Sequence, residues 1–539
     1  MKANKFFLGL ALVGAILTAC EKEPETPVAT GEVSYISVNL NYANQGTRAD
    51  VEDDEFEYGL DTENAINDVT FFFFDEEFKA YPVNTAEEGD QMVSYYTVKP
   101  NMKAGDQPYI EKISDATLVV ERSKITPPSY ILAVANCPED LQKSSSLAEL
   151  QAEIGAYNKN GNYFIMANSV YKSEATGEAM YVTPISNENL APSSAEATNG
   201  TYKPIEIYIE RTAAKVRVNN FAQNGEKRFN TGIKTNDGAE IWAEVTGWHV
   251  TDVNSTAYLL KKIDTNWTSD ASSLGFAWNE AGKYRSYWAT STPDAQNTNR
   301  HPYAGSVIAG HNTAYDYYYE NTTATADNRS QLIVTAKFYA GKTETQSIDI
   351  AEWWGVQYTL DGLKTAIANS LASQLYVATE TAGKYESITP DYIAFEQDEN
   401  TATDDSATAK VEDRYWSNAV LATEKASTKF YDAQGELLDA ADVDAIFAGV
   451  RHAKIWSKEF GGYYYLDIEH LGTGVAQYGL VRNHLYDYTL TNVSGLGTPI
   501  FDGNQIVIPE KPEGEETYIS AKLNIQAWRV VSQNNVTLQ

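Results

Sequence analysis

Apolar and polar side chains alternate in short bursts along most of this chain, and the bursts are separated by Gly, Asn, Asp and Pro. A period of two marks half-buried antiparallel strands. It predicts strands over 68–74, 95–98, 116–120, 130–135, 202–218, 240–250 and 331–338. Two bursts near the chain ends alternate most cleanly. Ser34 to Tyr42 puts Ile36, Val38, Leu40 and Tyr42 on one face, with Tyr35, Ser37, Asn39 and Asn41 on the other. Thr517 to Ala527 puts Ile519, Ala521, Leu523, Ile525 and Ala527 on one face, and Trp528 follows. Helical spacing is rarer. Ser146 can cap a segment carrying Leu147, Leu150 and Ile154, Asp361 can cap one carrying Leu363, Ile367, Leu371 and Leu375, and a shorter candidate follows Asp439. Many strands spaced by turns, with a few short peripheral helices, predict a mainly β protein of antiparallel β-sandwich domains rather than a parallel α/β sheet.

The N-terminus breaks this pattern. Lys2 and Lys5 precede an apolar run from Phe6 to Leu17, which ends in Leu17-Thr18-Ala19-Cys20. The run is too short for a spanning helix, and small residues before a cysteine fit a lipoprotein signal with Cys20 as the acylated residue. The polar, Pro-broken segment from Glu21 to Pro27 reads as a tether. The expected organisation is a signal over 1–20, a propeptide with the first strand over 21–48, β-sandwich domains over 49–225 and 226–507, and a spacer with a last strand over 508–539. The division between the sandwiches is placed after Val218, where the alternation gives way to an Asn-, Gly- and Lys-rich stretch.

Composition narrows the function. The 539 residues carry 74 Asp and Glu against 41 Lys and Arg, a formal charge of −33, which argues against nucleic acid or an anionic membrane as partner. With Cys20 lipidated, Cys137 is the remaining thiol and no intramolecular disulfide framework is possible. Neither a His-Glu-x-x-His, a Gly-x-Ser-x-Gly, a phosphate-binding Gly-rich loop nor a Cys-x-x-Cys is present. The six histidines are scattered without metal-ligand spacing and read as surface or strand residues. No catalytic residue, metal or cofactor is therefore expected. Acidic pairs such as Asp53-Asp54 and Asp404-Asp405 sit in polar charge runs, and the stretch from Gln397 to Asp413 reads as a surface loop. Trp353-Trp354 and Tyr317-Tyr318-Tyr319 could form a sugar-stacking platform, although such aromatics in strand-rich proteins are more often core.

The ends of the chain fit together physically. Arg48 is the first arginine, in a polar loop between the first strand and an acidic run, where a trypsin-like protease could cut before Ala49. Release of strand 34–42 would open a groove of unpaired backbone groups and apolar pockets. The C-terminal strand of a neighbour, carried on the extended Pro/Glu segment from Ile508 to Glu516, could fill it. Such a joint is head-to-tail and grows a filament.

These features together resemble the Mfa-type major fimbrial subunits of Bacteroidales, the fimbrillins of type V pili. The resemblance rests on the signal ending at Cys20, Tyr35-Ile36-Ser37-Val38-Asn39-Leu40, Thr47-Arg48-Ala49, and Ile209-Glu210-Arg211-Thr212-Ala213-Ala214-Lys215-Val216. It continues with Val481-Arg482-Asn483-His484-Leu485-Tyr486 and the tail from Tyr518 to Val530. It implies two transthyretin-like β-sandwich domains and an outer-membrane lipoprotein precursor. An arginine-specific protease would cut after Arg48, and the mature chain would polymerise with itself by strand exchange alongside anchor and tip proteins, touching membrane only through the precursor lipid. A non-polymerising surface lipoprotein, an accessory or a glycan-binding protein, is the alternative. Asp405-Ser406-Ala407 also resembles an O-glycosylation acceptor of Bacteroidetes, against which a plain acidic loop is the simpler reading.

Overall fold

The computed structural model describes residues 33–43, 59–85, 92–99, 103–104, 110–121, 126–155, 158–159, 163–173, 176, 178–219, 228–251, 253–263, 283–285, 289–292, 301–302, 308–309, 315–322, 329–398, 416–450, 452–470, 477–500, 506–507, 518–526 and 531–532. Cys20, Arg48, Ala49, Ala527 and the segment from Asp405 to Ala407 lie outside the described residues.

The first sheet is built from β1 (Val33–Ala43), β2 (Val69–Phe74), β3 (Tyr95–Val98), β4 (Lys103–Ala104), β5 (Ile110–Glu121), β6 (Tyr130–Ala135), β7 (Met166–Asn168), β8 (Thr183–Pro184) and β9 (Ile205–Arg211). Its order is β3-β2-β6-β7-β9-β1-β5-β4, with β8 attached to β6. Strand β2 shows why the sheet holds. Its run Phe71-Phe72-Phe73-Phe74 sends alternate rings to opposite faces. Phe71 and Phe73 join Ile36, Val38, Ile131, Ile205 and Ile207 in one core. Phe72 and Phe74 join Leu132, Val134, Leu147, Leu150 and Ile154 in another, and α1 (Leu147–Leu150) covers that face.

The chain changes sheets in two residues. After β9 come Thr212 and Ala213, and then β10 (Ala214–Asn219), which belongs to a second sheet. The sequence pattern places this division after Val218, because alternation runs unbroken through both strands; the hydrogen bonding divides them at Thr212–Ala213. The second sheet has the order β14-β10-β20-β22-β23, built with β14 (Tyr315–Tyr318), β20 (Leu485–Ser494), β22 (Tyr518–Gln526) and β23 (Val531–Ser532). A third sheet contains β11 (Arg228–Lys234), β12 (Glu240–Thr251), β15 (Gln331–Tyr339), β19 (Gly462–Asp467) and β21 (Thr498–Pro499), and β13 (Ile308–Ala309) pairs with β12. Val216, Tyr486 and Tyr488 from the second sheet share one core with Ile241, Val245, Trp248, Val334 and Phe338 from the third, so these two sheets form a sandwich.

Between β15 and β19 lies an inserted unit. It contains β16 (Ile350–Trp353), β17 (Val356–Thr359), α3 (Leu360–Leu371), α4 (Ala440–Ala448) and β18 (Lys454–Trp456). Its helices turn one face inward: Leu363, Ile367, Leu371, Val443 and Phe447 pack with Ala351, Leu375 and Ile455 in a core of their own. Asp439 caps α4 as expected, in a capping box with Asp442. The cap of α3 is Thr359, whose hydroxyl accepts from the Gly362 N–H at 3.1 Å, and not Asp361. Thr359 ends β17 with the extended backbone an N-cap needs, while Asp361 sits in the first turn and favours the positive helix end from there.

Candidate functional site

Strand β1 is an interior strand. It runs parallel to β9, with Val38 opposite Ile205 and Tyr42 opposite Ile209, and antiparallel to β5, with Val33 opposite Glu121 and Asn41 opposite Ile113. Ile36 and Val38 are fully buried. Their period-two neighbours point to the other face, where Tyr35 packs against Ala191, Ala197 and Tyr202. Backbone hydrogen bonds of 2.8 and 2.9 Å join Tyr35 and Ala191 in both directions, beside α2 (Ser194–Thr198). Asn39 Nδ2 donates to Glu206 Oε1 at 2.5 Å. Apart from its tyrosines, β1 carries no ionisable side chain. Of the four residues expected on its inner face, Ile36 and Val38 are placed in the core, while Leu40 and Tyr42 are described as strand backbone.

Strand β10 occupies the matching position in the second sheet, parallel to β20 and antiparallel to β14. Here the neighbours meet charge. Lys215 Nζ lies 2.7 Å from Glu63 Oε1, and both side chains are almost wholly buried. The Tyr317 hydroxyl donates to the same carboxylate, and the Leu60 N–H donates to its other oxygen at 2.8 Å. Arg211, at the end of β9, donates to the Glu63 carbonyl at 3.2 Å, to Asn64, and to Asn483 Oδ1 at 3.2 Å. Burial alone would raise the Glu63 carboxyl, but Arg211 and Lys215 outweigh it and hold the group below its ordinary value. Tyr317 is pushed far up, first by burial and then by the adjoining carboxylate. Two further buried pairs flank the crossing: Lys261 with Glu210 at 3.0 Å and Arg482 with Glu320 at 2.7 Å. Arg217 grips Asp487 through two hydrogen bonds of 2.9 and 2.8 Å.

The C-terminal strand β22 pairs antiparallel with β20 over nine positions, from Leu485 opposite Gln526 to Ser494 opposite Tyr518. The pattern suggests a strand hanging free on its spacer; in the structure it is hydrogen-bonded into the second sheet of its own chain. Ile519, Ala521, Leu523 and Ile525 all lie on β22.

Several candidates change standing. Tyr317 stacks edge-on against Phe164 with centroids 4.7 Å apart, and Tyr318 and Tyr319 are buried, so this triplet belongs to the interior and is no sugar platform. Trp354 is 77 % exposed. His470 and His484 are both buried, with ring centroids 4.9 Å apart, and the Tyr486 hydroxyl lies 2.8 Å from His470 Nδ1. They are core residues, not surface ones. Among the described residues no group of three or more His, Cys, Asp or Glu could hold a metal. Glu63 escaped sequence reasoning because it follows an acidic run that reads as solvated; the usable signal was the set of charged residues, Glu210, Arg211 and Lys215, inside an apolar alternation.

Two family models match separate parts of the chain. The major fimbrial subunit protein FimA matches residues 34–211, and the C-terminal part of the type IV major fimbrial subunit, fimbrillin, matches residues 460–534. The first match begins in β1 and ends at the last residue of β9, where the chain leaves the first sheet. The second takes in β19, β20, β22 and β23. These two parts of the chain are thus similar to fimbrial subunit proteins. No curated protein matches it. Among solved structures, a candidate cell adhesion protein from Parabacteroides distasonis is 14 % identical, with 92 % of this chain and 98 % of that one covered and a TM-score of 0.38. A fimbrilin from Porphyromonas gingivalis is also 14 % identical, with 93 % and 98 % covered and a TM-score of 0.35. At TM-scores this low, neither likeness bears on function.

Proposed function

We propose that this chain is an Mfa-type shaft subunit of a surface fimbrium that polymerises by donor-strand exchange. The precursor is an outer-membrane lipoprotein held through Cys20. An arginine-specific protease cuts between Arg48 and Ala49, β1 leaves, and the C-terminal strand of the next subunit enters with Ile519, Ala521, Leu523, Ile525 and Ala527 facing the vacated pockets. The observation that carries this reading is the interior position of β1, the strand nearest the N-terminus among the described residues. Its loss would unpair β9 and β5 together and uncover the pockets of Ile36 and Val38. Burial of three large aliphatics at ~1.5–3 kcal/mol each, beside a restored ladder, would make the joint durable. The chain's partners are other copies of itself, the protease, and accessory anchor and tip proteins.

The test is trypsin treatment of purified precursor, followed by electrophoresis in SDS without boiling. A ladder of high-mass species is expected. It should vanish in Arg48→Ala and in a chain truncated after Glu516. Monomer throughout would favour the non-polymerising surface lipoprotein, for which the pairing of β22 within its own chain is the supporting observation.

A further inference from the structure

The hairpin joining β16 and β17 carries an anomaly. Trp353 pairs with Val356, so Trp354 and Gly355 form a two-residue turn. Both lie in the left-handed region, at φ 50° and 74°. Turns of this kind favour Asn-Gly, because a bulky side chain at positive φ is strained. Beneath it, Trp353 stands edge-on to Trp354, with centroids 6.3 Å apart and planes at 62°. The Trp353 Nε1 is buried without a hydrogen-bond partner among the described residues, itself unfavourable. Trp353 also packs against the core of the inserted unit, but folding alone would not select an exposed indole at 354. Two breaches of local preference at one turn, whose outcome is a Trp ring 77 % exposed, mark a position shaped by something other than stability.

The surroundings narrow the ligand. At the next register position Gln357 Nε2 donates to Glu352 Oε2 at 3.0 Å, and Lys454 of β18 lies opposite Glu352. Strand alternation turns Glu352 and Gln357 to the face opposite Trp353 and Val356, so the open ring has no charged group paired beside it in the hairpin register. One open ring with a second edge-on behind it is not the multi-walled cage that recognises an ammonium group. A chain of formal charge −33 also repels anionic ligands. The C–H face of a pyranose, weakly positive, suits the negative face of an indole.

We propose that Trp354, backed by Trp353, is a stacking platform for an uncharged sugar. The site stands apart from the strand-exchange reading and needs no polymer.

The informative variant is Trp354→Asn, because Asn relieves the turn while removing the ring. The full chain is applied to a printed panel of neutral oligosaccharides, with sialylated oligosaccharides and a Lys/Arg-rich peptide as further arms, and any neutral ligand captured is titrated by calorimetry. Capture of neutral oligosaccharide is expected, weakened by about tenfold or more in Trp354→Asn, as for truncation of an interfacial aromatic anchor. Trp354→Phe should retain part of the affinity, and the thermal midpoint of Trp354→Asn should be unchanged or raised. The proposal is overturned by no capture, by capture that Trp354→Asn leaves intact, by capture confined to the peptide or the sialylated arm, or by a lowered midpoint in Trp354→Asn, which would make Trp354 a structural residue.

Discussion

Strand β1 lies parallel to β9 and antiparallel to β5, and β10 lies parallel to β20 and antiparallel to β14. The slots correspond, but what ties each strand into its slot differs. Strand β10 brings Lys215 and Arg217 to Glu63 and Asp487, and its removal would strand carboxylates in the interior. Strand β1 offers apolar side chains inward and a neutral Asn39 toward Glu206. A strand without buried charge can be exchanged for another of the same alternation. One tied by buried ion pairs cannot, because the penalty for an unpaired buried charge exceeds what apolar packing returns.

The contrast is broken most directly by deleting residues 33–43. Hydrogen exchange should then show the amides of β5 and β9 unprotected. A peptide of residues 517–527 added in trans should restore protection, and a scrambled one should not. Protection that survives the deletion would mean β1 holds nothing together. Next in size is Lys215→Ala, which removes the cation paired with the buried Glu63 carboxylate and leaves Arg211 as the other nearby positive group. It should lower stability by about 3–5 kcal/mol, read as a fall in the urea midpoint. A loss under about 1 kcal/mol, the range of an exposed pair, would remove the distinction between the slots.

Acid sharpens the same point. Glu63 is held below its ordinary value of 4.5, so its contribution is whole above that pH and is lost as pH falls through the lower folded value. Unfolding followed from pH 6 to 3 should steepen below about 4.5, and Glu63→Gln should flatten that limb. An unchanged acid limb would assign the sensitivity to other carboxylates. The smallest effect is expected for Asn39→Ala, about 1 kcal/mol, since one hydrogen bond at a half-buried position is lost and no charge is left enclosed.

Much of this was legible in the sequence. The alternation around Ile36 and Val38, the strands at 95–98 and 130–135, and the cap at Asp439 all stand where the pattern puts them. Alternation reports that a strand has a buried face but not which sheet that face joins. Residues 205–211 and 214–219 therefore read as one run, although they serve different sheets. The same blindness hid the core of the inserted unit, whose helices have an apolar stripe that fits a peripheral helix equally well. It also hid the burial of Tyr317, Tyr318 and Tyr319, since exposure depends on partners far away in sequence. At Trp354, by contrast, the aromatic pair was visible but its backbone was not, and the backbone separates a platform from a core residue.

The two-residue crossing has a mechanical consequence. Thr212 donates its N–H and hydroxyl to the Ile165 carbonyl at 3.1 and 3.0 Å, and Asn483 donates its N–H to the Ala213 carbonyl at 2.7 Å. With both residues pinned and Arg211 and Lys215 clamped on either side, there is no slack in which the sheets could swing. Bending at this waist would have to break buried ion pairs, whereas tension passes from one strand straight into the next. Flexibility in an assembly of such molecules would then reside at the joints between copies, and each copy would behave as a stiff link.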